Sequence, residues 1–196
     1  TSDEGKRQEG ISFLLIDMEQ PGVTVQPIKT IDGSVEINNV FLEDVKVPIA
    51  NLIGEENKGW TYAKYLLGHE RTSIAAVGRS KAQLKRLKTI ASVEEQAGKP
   101  LIEDMTFKEK IAGIEISLLA LESLVLRVLS DESAGKGPGP EASFLKIRGT
   151  EVQQGITELL IEAIGNYAHP YVPESMETGW NEDPIGPEHA ASIAPH

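Results

Sequence analysis

The sequence predicts an α+β chain, the remnant of an antiparallel β domain followed by an up-and-down helical bundle. Three observations carry that reading. Between residues 11 and 48, short apolar runs are separated by turn dipeptides. Beyond residue 57 the apolar period lengthens from two to between three and four. Gly- and Pro-containing connectors then cut the second part into long segments. The expected division is 1–54 as the last part of a β domain, 55–168 as the bundle and 169–196 as an irregular tail.

Residues 1–10, polar and Gly-containing, read as a loop. Ile11 to Met18 is a compact apolar strand, and Pro21-Gly22 turns the chain. Val23 to Ile28 alternates like a second strand, Asp32-Gly33 is a hairpin dipeptide, and Val35 to Leu42 is a third strand. Asp44 to Pro48 leaves in extended form. Three strands alone make a marginal domain, and the first residue is Thr1, not Met. The chain is therefore expected to be a piece of something longer.

A long helix is predicted from Trp60 to about Gln96, capped by Asn57 and ended by Gly98-Lys99-Pro100. Thr106 and Glu109 have capping-box spacing for the next helix. There Phe107, Ile111, Ile114, Leu118, Leu121, Val125 and Val128 step by four and three, a seam for side-by-side packing. Residues 135–140 form a flexible connector. A third helix is predicted over Glu141 to Ile164, with Leu145, Val152, Ile156, Leu159 and Ala163 on one face and Gly165-Asn166 as its cap. From His169 the Pro-rich chain, Trp180 included, shows no period: a functional loop or a disordered tail.

Composition narrows the functions. The 196 residues are 40% hydrophobic and 25% charged, enough for a core built on aliphatic side chains because aromatics are only 5%. No apolar run is long enough to span a bilayer. The absence of cysteine removes disulfides, thiolate metal sites and a Cys nucleophile, and fits a reducing, cytoplasmic location. The net charge of −11 argues against nucleic acid as a partner. The histidines, His69, His169, His189 and His196, have no paired-ligand spacing, so no metal is expected.

The most informative residue is Glu70. An apolar stripe runs through Ala63, Leu67, Ile74, Val77, Leu84 and Leu87, and Glu70 fills the gap between Leu67 and Ile74. A carboxylate on a core-facing stripe is costly unless paired or neutral, and one held that way can act as a general base. The competing reading places Glu70 at a bundle edge or in an ion pair with another helix. Arg71 points about 100° away and need not pair with it. Lys81, Lys85 and Lys88 share a face, with Arg79 and Arg86 nearby. This basic cluster is either an anion site for a nucleotide phosphate or a solvated face.

Several segments together resemble the acyl-CoA dehydrogenase family. Gly10 to Ile16 with Pro21-Gly22-Val23 looks like a strand and turn of its middle domain. Val40-Phe41-Leu42-Glu43-Asp44-Val45-Lys46-Val47-Pro48, then Asn51-Leu52-Ile53-Gly54 and Gly59-Trp60, is similar to the family signature F-x-D-V-x-V-P, N-L-I-G and G-W. Glu70-Arg71 through Ile74-Ala75 resembles the helix whose Arg lies by the active site. Glu162-Ala163-Ile164-Gly165-Asn166 stands where relatives carry Q-x-x-G-G. The resemblance covers nearly the whole chain and looks closest to the large subunit of pimeloyl-CoA dehydrogenase-like enzymes.

The resemblance implies the last strands of the middle domain and three helices of a C-terminal bundle, without the N-terminal domain, the earlier strands or the final helix. It implies FAD between β domain and bundle, α,β-desaturation of an acyl-CoA substrate, and electrons passed to an electron-transferring flavoprotein. It also implies a homo- or hetero-oligomer. Glu70 matches a minority position for the catalytic base, immediately before the helix Arg, so Glu70 and Arg71 are the implied catalytic residues. Glu162, Gly165 and Asn166 are the implied cofactor-binding residues. Three positions depart from the pattern. The flavin-contacting Arg of R-x-x-F-G corresponds to Glu94 in Glu94-Glu95-Gln96-Ala97-Gly98. The Gln of Q-x-x-G-G is Glu162. Gly68 stands where many relatives are acidic. The alternatives are a non-catalytic helical partner subunit of a heteromeric acyl-CoA dehydrogenase, or an acyl-CoA oxidase.

Overall fold

The computed structural model describes residues 5–6, 8–136, 139–172, 174 and 189–190, and the backbone alone of His69, Arg71, Thr72, Ser73 and Ala142. The chain forms two compact units, 1–69 and 70–196.

In the first unit, the alternating Val23–Ile28 (β2) and Ile37–Leu42 (β3) pair antiparallel, with Val25 opposite Val40 and Ile28 opposite Ile37. The turn is held locally. Gly33, at φ 85°, donates its N–H to Thr30, and the hydroxyls of Thr30 and Ser34 donate to the Asp32 carboxylate. Those hydrogen bonds, Thr30's first and then Ser34's, hold the Asp32 carboxyl below its usual range. The sequence predicts one three-stranded sheet. The structure instead pairs Phe13–Leu14 (β1) with Leu52–Ile53 (β4) in a second two-stranded sheet. The Asn51 side chain and carbonyl both bond to Leu15, which draws that far segment to β1. Val25, Val40, Phe41 and Leu42 stay exposed, so this unit buries no core of its own among the described residues.

The predicted 60–96 helix is two helices, Gly59–Ser73 (α1) and Val77–Val93 (α2). Ala76 breaks it with a left-handed φ of 46°. Two causes converge. Thr72, Ser73 and Ile74 are weak helix formers, and Ala75 is buried where the chain passes Gly149 of the last helix. A Cβ on Gly149 would lie 2.8 Å from the Ala75 Cα, so the close approach requires glycine. Asn57 does not cap α1. It has a φ of 63°, donates its N–H to the Ser12 hydroxyl, and lies two residues before the helix.

Met105–Ser133 (α3) and Glu141–Ile164 (α4) complete the bundle. The predicted seam of α3 faces inward: Phe107, Ile111, Leu118, Leu121 and Val128 are buried, and Ile114 and Val125 pack against them. The α4 face of Leu145, Val152, Ile156 and Leu159 is buried too, with Ala163 packed at its edge. Ion pairs give the helix directions. Lys81 with Glu122 and Lys88 with Glu115 rise along α2 as they fall along α3, so those two are antiparallel. Ala75 lies beside Gly149, while Glu94 and Glu162 share a cleft, so α2 and α4 run parallel. The order is up, down, up, as the short connectors require.

The cap of α3 differs from the expected Thr106–Glu109 box. Asp104 is the N-cap, its carboxylate accepting the Phe107 N–H at 2.8 Å. An ionised acceptor also answers the partial positive charge of the helix start, which the Thr hydroxyl cannot. Asp104→Ala is expected to cost about 1 kcal/mol, seen as a lower midpoint in thermal unfolding. An unchanged midpoint would show that water caps the helix equally well. Within the tail, Ala190 is buried against the core, and Trp180 lies outside the described residues.

Candidate functional site

Glu70 lies in the last turn of α1, the segment expected to face the core. The structure corrects that expectation: Glu70 is exposed, and its stripe neighbours Leu67 and Ile74 are 49% and 41% exposed. The cause is the break at residues 74–76. It divides the expected stripe between two helices, with Leu84 and Leu87 buried on α2 and Leu67 and Glu70 exposed on α1. Of Arg71, the neighbouring implied catalytic residue, only the helical backbone is described.

A second group of residues converges at the far end of the bundle. There α2 ends at Val93, and Glu95–Gln96 (β5) and Lys99–Pro100 (β6) make a tight hairpin. Its tip takes positive φ at Ala97 and Gly98, 53° and 76°. Beside it α4 ends at Ile164, with Gly165 at φ 62° turning the chain into a short 3-10 turn over Gly165–Ala168. Between the two lies a cleft of about 360 Å³, lined by Glu94, Glu95, Gln96, Glu162, Gly165 and Tyr167 among others.

The structure therefore brings the two departing motifs, at Glu94 and at Glu162, into one place. Glu162 and Gly165 line the cleft, and Asn166 is exposed directly after them. The cleft is acidic. Glu162 is paired with Lys110 of α3 at 2.5 Å, while Glu94 and Glu95 add two further carboxylates. Sequence reading missed Lys110 and Tyr167. Lys110 is one of two lysines on α3, and only the antiparallel register places it opposite Glu162.

The basic cluster of α2 divides. Lys81 and Lys88 are committed to Glu122 and Glu115 of α3. Arg79 and Arg86 line a different wall, between α2 and α4. Among the described residues no group of three His, Asp or Glu could hold a metal ion. No described helix is long and apolar enough to cross a membrane.

Known proteins share this sequence and architecture. The acyl-CoA dehydrogenase C-terminal domain matches residues 57–181. The chain is 31% identical, over 90% of its length, to acyl-CoA dehydrogenase FadE29 of Mycobacterium tuberculosis, covering 45% of that protein. It is also 31% identical to cyclohexane-1-carbonyl-CoA dehydrogenase of Syntrophus aciditrophicus, again over 90% of the chain and 47% of the relative. Among solved structures it resembles an acyl-CoA dehydrogenase from Geobacillus kaustophilus, 27% identical with a TM-score of 0.75, over 82% of this chain and 43% of that one. It also resembles the ChsE4-ChsE5 complex of Mycobacterium tuberculosis, 29% identical with a TM-score of 0.72, over 84% of this chain and 42% of the other. The chain spans about half the length of the relatives it matches. With most of its helical part matched by one family and its bundle folded as the relatives fold, the chain belongs to the acyl-CoA dehydrogenase family.

Proposed function

We propose that the protein takes part in α,β-dehydrogenation of an acyl-CoA thioester, with Glu70 as the base that removes the α-proton and Arg71 beside it. The observation that supports this reading is the family match over residues 57–181, which contains the Glu70-Arg71 pair. Breaking the α C–H bond moves its proton to the Glu70 carboxylate and leaves the electron pair on the α-carbon, delocalised into the thioester carbonyl. Glu70 lies on an exposed part of α1.

FAD is the cofactor of this reading, and the residues of the acidic cleft do not fit its diphosphate. A diphosphate entering there meets Glu94, Glu95 and Glu162, and Lys110, which reaches Glu162 from α3, is already paired with it. Two like unit charges ~6 Å apart repel by about 3 kcal/mol at an effective dielectric of ~20, and by less where water reaches them. These carboxylates repel a diphosphate placed at the cleft, so any affinity it has there comes from other groups. In the full-length protein, Glu94→Arg combined with Glu162→Gln is expected to tighten FAD binding about tenfold, read by titration of flavin fluorescence. An unchanged affinity would place the diphosphate away from this cleft altogether.

The same acidity favours a second reading, in which the chain is a helical partner that assembles with a different family member. Alongside its buried seam, α3 carries exposed Ile116, Leu119 and Leu126, an apolar row suited to association in either a homo- or a hetero-oligomer. The remaining proposals carried by the resemblance are electron transfer to an electron-transferring flavoprotein and a cytoplasmic location. The test is to incubate the full-length protein with a panel of acyl-CoA thioesters and an artificial electron acceptor, and to follow enoyl-CoA by mass spectrometry. Product from the protein alone supports the enzyme reading. Product only after a second family chain is added supports the partner reading, and no product in either arm overturns both.

A further inference from the structure

Gly149 lies on the inward face of α4, in a row with Leu145, Val152 and Ile156 that is otherwise aliphatic and buried. In the middle of a 24-residue helix, glycine gives up both helix propensity and a core side chain. Ala76 is a second locally unfavourable choice. It is an alanine in the left-handed region, at φ 46° and ψ 39°, where its Cβ crowds the backbone. A residue keeps such a conformation only where its surroundings dictate it.

The two choices meet through Ala75. Ala75 is 1% exposed and belongs to the bundle core, whereas Ile74 before it is 41% exposed. A Cβ on Gly149 would lie 2.8 Å from both the Cα and the carbonyl oxygen of Ala75, and 3.1 Å from its carbonyl carbon. These are backbone atoms, so no side-chain rotation relieves the contact. On the other side of Ala75, the Ala76 carbonyl accepts the Ser80 N–H at 3.0 Å, which ties the break to α2. Glu70 lies three residues before the end of α1 at Ser73, and Ile74 alone separates that end from Ala75.

We propose that Gly149 is a positioning residue: by letting the backbone of Ala75 lie against α4, it fixes where the last turn of α1 carries Glu70. The inference rests on the reading of Glu70 as the α-proton base, and adds the part of the bundle that sets the place of that base. Carbon atoms in ordinary contact stand about 3.5–4.0 Å apart, so a methyl group at residue 149 drives the two backbones apart by about 1 Å. A displacement of ~1 Å in a reacting group can cost about a hundredfold in rate, and the turn between Glu70 and Ala75 absorbs part of it.

Exchange of the α-hydrogen of an acyl-CoA with deuterated water tests the proposal, catalysed by the full-length protein at saturating thioester and normalised to the folded fraction seen by circular dichroism. Gly149→Ala should slow exchange about tenfold, with little change in the half-saturating thioester concentration. Ala75→Gly removes the buried methyl without crowding anything and should slow exchange several-fold. It decides the matter where Gly149→Ala does not fold. Gly155→Ala is the matched control. It adds the same methyl to the same helix, but that Cβ meets only the end of the Ile114 side chain, which can turn away, so exchange should stay at the parental rate. In the Glu70→Gln background, Gly149→Ala should add no further loss, because the group it misplaces can no longer take the proton. Parental exchange by Glu70→Gln removes the base assignment, and the proposal with it. With Glu70→Gln slow, three results overturn the proposal alone and leave Gly149 a packing residue. They are parental exchange by Gly149→Ala and Ala75→Gly, an equal loss in Gly155→Ala, or the same fold loss from Gly149→Ala in both Glu70 backgrounds.

Discussion

Glu70→Gln in the full-length protein is expected to slow removal of the substrate α-proton by about a hundredfold or more, the lower end of what a positioned general base contributes. The amide keeps the shape of the carboxylate and its place in α1 but cannot accept a proton. The cleanest readout is exchange of the α-hydrogen of an acyl-CoA with deuterated water, followed by mass spectrometry. It reports the proton step without requiring that the second hydrogen be passed on. Glu70→Asp should fall between the two, because it keeps the base and withdraws it by one methylene. Thermal unfolding of Glu70→Gln should hardly change, since an isosteric change at an exposed side chain outside the core alters stability by only about 0.5 kcal/mol. Exchange at the parental rate would make Glu70 structural, and the base would then lie elsewhere in the assembled enzyme.

That prediction rests on a position whose environment the sequence pattern misjudged. The stripe from Ala63 to Leu87 reads as one face only if one helix carries it. The break at residues 74–76 depends on Ala75 meeting Gly149, some seventy positions further on, and no local window contains that contact. The α3 seam was legible for the opposite reason. Every contact that orients it follows from spacing within one 29-residue helix, and the apolar row was long enough to average over single exceptions. The ends of α4 were legible from Pro140 before it and Gly165 after it. Strand existence was read correctly at Val23–Ile28 and Ile37–Leu42, where an Asp-Gly turn fixes a local hairpin. The pairing of Phe13–Leu14 with Leu52–Ile53 spans the whole β segment and leaves no local mark. At the acidic cleft, Glu94 and Glu162 were each visible as departures from a motif. Their convergence on one cleft needed the parallel register of α2 and α4.

Phe107→Ala should produce the largest stability loss. Phe107 is 2% exposed, heads the α3 seam, and is the one aromatic side chain among the buried core residues described. Truncating a buried Phe removes its transfer free energy and leaves a cavity that helices fixed on three sides cannot close, about 3–5 kcal/mol in all. For a domain of this size each kcal/mol lowers the unfolding midpoint by about 2–4 °C, so a drop of roughly 6–20 °C is expected. Phe107→Leu, which refills most of the space, should cost far less. The backbone of Phe107 also donates to the Asp104 cap, so the two sites share a helix turn. Phe107→Ala and Asp104→Ala should therefore combine to less than their sum, because once the first turn has frayed the cap has little left to hold. Phe41→Ala serves as the control. Phe41 is 48% exposed in β3, and within this chain its loss should be nearly silent. A large effect at Phe41 in the full-length protein would mean that other sheet covers β3 there. A small effect at Phe107 would mean that the bundle end is loose enough to collapse onto the cavity, and the three-helix core would have to be centred further along the seam, nearer Leu118 and Leu121.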